Sequence, residues 1–445
     1  MTRSLTRRRA LATGAGAALL PLVHVGGAHA AGSLAVGFWD HWVPQGNDVM
    51  KKQATAWAEK NKVDLQADFI TGNGNKLLMT RAAEAQARTG HDMLAFQTWD
   101  IHQYADRLEP VDDVMGHLIA QYGQTNEICE YLGRIGGHWG AVPTSSGTQI
   151  KGPCGRISLL NQIAGLDVVG MYPARPEHTA AADGWTYDAM LKAMAACKKA
   201  NVPFGIGLGL TVDSTDSAGA LFAAFGAELV DGEGNLKVRS EPVHRLLEYA
   251  QQMVKFLPAD AISYDDASNN RALISGKSAL IFNPPSAWAV AKRDNPTIAA
   301  DCWTFPAPRG VKGRFAPYLP FFWGVWSFSK NKSAAKDLIA YLSERAQVEE
   351  RCNVVEGFDL PPFDSMLDFK IWEEVEPPKG TIYNYPLRKW HDARPTFAAS
   401  WAAPDVAVQI YNRGTLPTMF AKLMTGSSIE QTMAWAESEV QGFLR

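Results

Sequence analysis

The chain has 445 residues, 46% of them hydrophobic and 20% charged, and a formal net charge of −3 at pH 7. That balance supplies ample core for a globular protein. Its slightly acidic sign excludes the broad basic surface that nucleic acid or anionic lipid would select. Five cysteines (Cys129, Cys154, Cys197, Cys302 and Cys352) lie far apart with no C-x-x-C pair. Metal-ligand spacing is therefore absent. In an oxidising compartment one or two disulfides fit this set, and the odd count leaves at least one free thiol.

The first element in chain order is "LTRRRALATGAGAALLPLVHVGGAHAAG". Its apolar run, Ala10–Val25, falls short of the roughly 20 residues that a bilayer span requires. A basic start, a short apolar stretch and the Ala28-His29-Ala30 site together read as a secretory signal peptide, cut after Ala30. The paired arginines Arg7 and Arg8 point to the twin-arginine route, with ordinary Sec export as the alternative. Ala30 is not followed by a cysteine, so no lipoprotein anchor is expected, and no later segment has transmembrane length. The expectation is an exported protein, periplasmic where the cell has an outer membrane.

About 415 residues follow that cut, which as a soft prior means two to three domains. "SLAVGFW" is a short strand, Asp48–Glu59 has helical spacing, "VDLQADFI" is a strand, Lys76–Arg88 an alanine-rich helix and "HDMLAFQTW" a third strand. Alternation at this spacing is the mark of βαβ units and a parallel sheet. It resumes with a helix over Tyr187–Ala200, a buried strand "PFGIGLGL", and helices over Ala218–Phe225 and Glu241–Phe256. "SALIFNP" and "GVWSFSK" read as strands, and Ser333–Arg345 and Ile429–Leu444 as helices. Pro/Gly-rich stretches at 152–155, 306–313 and 377–386 mark crossovers or surface loops.

Several pieces, in order, carry a family resemblance: "VGFWDHW", "WGAVPTSS", "FGAELVDGEGNLKV", "NNRALISGKSALIFNPPSAW" and "SFSKNKSAAKDLIAYLSERAQVEE". The chain resembles the extracellular solute-binding proteins of ABC importers, the large family that includes maltose-binding proteins. The resemblance implies an α/β fold of two lobes, the type II periplasmic-binding-protein fold, each lobe a mixed sheet flanked by helices and joined by a hinge. It places 33–143 with 318–365 in the first lobe, and 144–317 with 366–445 in the second. It also implies a monomer without cofactor or metal. Such a receptor captures a sugar-like solute in the cleft and delivers it to permease subunits, without inserting in the membrane.

A sugar site needs ion-stabilised polar groups around flat aromatic platforms. Trp39 and Asp40 follow the first strand, and Gln97, Trp99 and Asp100 follow the third. In the resembled family these two loops contact ligand from the first lobe, so these residues are candidates, with core tryptophans and helix-capping aspartates as the alternative. Asp213 and Asp216, in "TVDSTDS", are either helix caps or ligand groups. Asn283 and Trp288, in "FNPPSAW", match the step at which a Trp stacks on solute from the second lobe. Trp323 and Gly324, in "FFWGVW", stand where the family often has paired glycines. Trp401 aligns loosely with a late platform but reads better as packing. Arg388, Lys389, His391 and Arg394 form a basic run that suits a solvated surface, or a cation for an acidic solute.

A second reading is an exported glycoside hydrolase, with two carboxylates about 5–10 Å apart. No GxSxG, HExxH or GxxxxGK[ST] occurs, and GxGxxG fails at Leu210. A third reading keeps the fold and changes the ligand to a polyol, sugar acid, polyamine, iron or phosphate.

Overall fold

A computed structural model describes residues 32–171, 179–283, 286–375 and 392–445. The signal sequence and the run Arg388, Lys389 and His391 lie outside the described residues. The fold begins with β1 (Ser33–Trp39), buried along six of its seven residues. A strand so covered needs neighbours on both edges and layers on both faces. It pairs in parallel with β2 (Asp64–Ile70), in register from Ser33–Asp64 to Trp39–Ile70, and on its other edge with β3 (Met93–Gln97). The crossovers are the helices α1 (Pro44–Asn61) and α2 (Lys76–Ala87). Proline in the first turn of α1 and left-handed Lys62 after its last turn set that helix's limits.

The sheet is completed by β4 (Val142–Ile150), buried throughout, and by a long strand, Gly313–Val325, that pairs antiparallel with both β4 and β3. Past Ile150 the chain leaves this sheet. It enters a second one, in which β5 (Pro153–Arg156) lies between β6 (Leu280–Phe282) and β7 (Cys302–Thr304). The returning strand, β8 (Gly313–Val325), makes the opposite crossing. Its first half runs parallel to Arg394–Thr396, and its second half is in the first sheet, with a register shift between Leu319 and Phe321. Two crossing strands therefore lie side by side, tied where the Lys151 N–H donates to the Pro317 carbonyl at 2.7 Å.

Several sequence expectations change. The boundary at 143/144 falls inside β4, because that strand's pairing continues to Ile150. Residues just past 365 still pack on the first lobe: Arg345 pairs with Asp368, and the Trp372 indole donates to the Gly357 carbonyl. "PFGIGLGL" is buried over much of its length but forms no ladder. It lies alongside β6, with the Gly205 N–H donating to the Leu280 carbonyl and the Leu208 N–H to the Ala261 carbonyl, each at 2.8 Å. "GVWSFSK" is only the end of β8, which stops at Val325; the strand lies mostly upstream. All five cysteines are buried free thiols, with Sγ atoms of Cys154 and Cys302 3.3 Å apart on neighbouring strands. Among the described residues no helix is long and apolar enough to cross a membrane.

Candidate functional site

The carboxyl ends of β2 and β3 open towards the second lobe, where ligand sites of open α/β sheets form. Between them is a cavity of about 170 Å³, lined by Asn75, Arg81, Gln97 and Asp100 from one lobe, and by Thr211, Asp266 and Tyr411 facing them, among others.

The first wall is organised by Arg81 on α2, whose side chain is 1% exposed. A guanidinium can be buried only if its charge and donors are answered. Asp100 forms the ion pair, the side-chain Oε1 of Gln97 accepts from Nη2 at 3.4 Å, and the Leu77 backbone carbonyl from Nε at 3.3 Å. Burial lowers its pKa to about 10, which leaves it charged at neutral pH. Asp100 also accepts the Gln97 N–H at 2.9 Å. The turn that brings Asp100 round requires Thr98 at φ 41°, a conformation seldom taken by a β-branched residue. Such strain persists only where the surroundings fix it, and here Thr98 is buried with its N–H on the Pro320 carbonyl at 3.0 Å.

The second wall is the start of α3 (Val212–Phe225). Its cap is Thr211, which accepts from the Ser214 N–H at 3.1 Å. Neither Asp213 nor Asp216 caps the helix. Both instead hold the ammonium of Lys151, at 2.5 and 2.9 Å. Burial disfavours the charged lysine, but the two carboxylates outweigh it and raise its pKa. Asp213 also accepts from Asn269 at 3.0 Å, and Asp216 from the Tyr411 hydroxyl at 2.9 Å. Tyr411 belongs to α4 (Pro404–Asn412), and its hydroxyl also reaches Thr98 across the cleft at 3.4 Å. Asp266 stands beside this cluster, and burial followed by the charge of Asp213 pushes its carboxyl up to about 7.

Of the residues expected from sequence, Gln97 and Asp100 line the cavity, and Asp213 braces its second wall. Asp40 accepts from Asn47 at 2.7 Å, and Asn283 donates to Asn270 at 2.9 Å, each within its own lobe. The tryptophans go elsewhere. Trp39 packs on Phe321 with ring centroids 5.0 Å apart, close to Gly147, where a Cβ would come within 2.9 Å of both rings. Trp99 is wholly buried and donates to the Ala398 carbonyl at 2.8 Å. Trp288 stands edge-on to Trp303 at 5.2 Å in the core of the second lobe. Trp323 lies under the Arg351 guanidinium, and a side chain at Gly324 would strike Phe96 and Leu108. Trp99 and Trp288, expected to meet solute from the first and second lobes, are thus core residues instead. Arg81, Lys151, Asp266 and Tyr411 were not singled out from sequence. Arg81 lies in an alanine-rich helix and Lys151 next to a glycine, contexts that read as surface.

A mixed sheet, a second sheet whose three strands pair only antiparallel where a mixed one was expected, two adjacent crossing strands and a polar cavity walled from both sides define a two-lobed solute receptor. The chain belongs to the bacterial extracellular solute-binding protein family, which it matches over residues 52–377. It is similar in fold to maltose-bound MalE3 of T. maritima, at 17% identity and TM-score 0.72, covering 92% of this chain and 99% of that one. An ABC transporter solute-binding protein from Thermotoga lettingae bound with alpha-D-tagatose aligns at 17% identity and TM-score 0.73, over 93% and 100% of the two chains. A sugar transporter from Arthrobacter chlorophenolicus with bound laminaribiose aligns at 16% and 0.72, over 93% and 100%. No curated protein matches by sequence.

Proposed function

We propose that this protein is an exported receptor that captures a sugar-like solute between its lobes and delivers it to an ABC permease. The observation that carries the reading is the cavity whose hydrogen-bonding side chains come from both lobes. A solute held there contacts both walls only when the lobes are together, so it stabilises closure by that differential contact. The lobes divide at the paired crossing strands, near Lys151 and Pro317, and again beyond Trp372. Gln97, Asp100 and Arg81 contribute from the first lobe, with Thr211, Asp266 and Tyr411 from the second. Export through the signal ending at Ala30, and a monomeric state, belong to the same reading.

Binding rather than catalysis is the expected activity. In a thermal-shift screen of monosaccharides, disaccharides and polyols, the correct solute at 100 times its Kd should add about 2.7 kcal/mol of stability. Chromatography after prolonged incubation should recover the solute unchanged. New sugar products that vanish with Asp100→Asn would replace the receptor with an enzyme.

A further inference from the structure

Charges around the cavity do not balance. Arg81 is engaged by Asp100, and Lys151 is shared between Asp213 and Asp216. Asp266 is a further carboxyl on the second wall, lining the cavity; it accepts from the Asp213 N–H at 3.5 Å and feels the Lys151 charge, but it makes no ion pair of its own among the described residues. Four carboxyls thus share two cations at one enclosed place. A carboxylate removed from water without a countercharge is costly. It can lower that cost by taking a proton, or by meeting a cation that enters with the solute. Hydroxyl groups of a neutral sugar satisfy its lone pairs but leave the charge.

Resting on the receptor reading above, we propose that the solute is a single-ring amino sugar whose ammonium group is bound by Asp266. Other cations fit less well. No group of three or more metal-ligating side chains occurs among the described residues. The space of about 170 Å³ is below the roughly 300–1,000 Å³ of pockets for larger ligands, which disfavours a long polyamine. Sugar acids would add a fifth anion. On the opposite wall, Gln97 and the ion-paired Arg81 are placed for ring hydroxyls, while Tyr411 offers the only aromatic face among the cavity's lining residues.

Calorimetry with matched probes tests this: glucosamine against glucose and N-acetylglucosamine, and galactosamine against galactose. The amine of at least one pair should bind tenfold or more tightly than its neutral partners. Because Asp266 must be ionised to hold a cation, and its carboxyl titrates at about 7, that affinity should rise from about pH 6 to about pH 7.5. Asp266→Asn should abolish both the preference and the pH dependence, so that the amine binds no more tightly than its neutral partner. Neutral sugars binding as tightly as the amines would overturn the inference and leave the sugar receptor standing. An amine preference that persists in Asp266→Asn would overturn it too. If the variant does not fold, the wild-type pH profile decides, since affinity flat from about pH 6 to about pH 7.5 is incompatible with an ionising Asp266. Failure of every sugar to bind would remove both readings.

Discussion

At the scale of single residues, the sequence shows which side chains are chemically able but not which are already engaged. Asp213 and Asp216 read as helix caps or ligand groups, and they are neither capping nor free; they neutralise Lys151, 62 and 65 positions away. Nothing local announces that partner. Tryptophans next to strand ends are ambiguous for a related reason, since a large ring at the end of a buried strand can as easily turn inward. Trp99 and Trp288 turned inward. Replacing either with alanine should cost about 3–5 kcal/mol of stability, the range for large aromatic side chains in cores. Denaturant unfolding would show it as a lower midpoint with an unchanged slope. Solute affinity in the remaining folded protein should stay within a fewfold. Normal stability with a hundredfold loss of affinity would restore these rings to the cleft.

Elements were legible where local signals agree with the fold. The helix over Tyr187–Lys199 has a threonine cap at Thr186, an apolar stripe and two lysines in its last turn, and it lies within a residue of expectation. The crossing strand β8 was hidden, because Pro317 and Pro320 interrupt its pattern and its pairing changes neighbours midway. Its companion crossing ends at Lys151, whose burial joins the hinge to the first turn of α3. Lys151→Met should therefore strand the buried carboxylate of Asp216 and the partly buried one of Asp213, and destabilise the protein by about 3–5 kcal/mol, the cost of breaking a buried pair from one side. Adding Asp213→Asn and Asp216→Asn should recover part of that loss. No recovery in the triple variant would mean that the lysine acts through packing alone. Thr211→Ala, which removes the cap of α3 without touching Lys151, should cost about 1 kcal/mol. Measuring both sets in one urea series separates the hinge tie from ordinary helix capping.

The whole molecule should be less stable on the alkaline side of neutrality, and two groups give the same sign. His91 is buried between Glu84, 2.5 Å from Nδ1, and Asp68, 3.1 Å from Nε2, so both ring nitrogens must donate and the imidazole is held as a cation. Burial opposes that charge, but the two carboxylates outweigh it and raise its pKa to about 9 from 6.5. A raised histidine stabilises fully below its unfolded value, and that stability is lost as pH rises through the folded value. Over this interval it amounts to about 3 kcal/mol. Asp266 is a carboxyl raised to about 7 from 3.8, chiefly by burial, so the folded state holds its proton more tightly than the unfolded state. Ionising it on the way to neutral pH therefore also lowers stability. Without solute, the melting temperature should fall from about pH 6 to about pH 9, by about 5 °C for a chain this long. In His91→Gln the fall above about pH 7 should flatten, with a lower melting temperature at the acidic end. A wild-type melting temperature that rises over the interval, or an equal slope in His91→Gln, would show that Glu84 and Asp68 do not hold a charged imidazole between them.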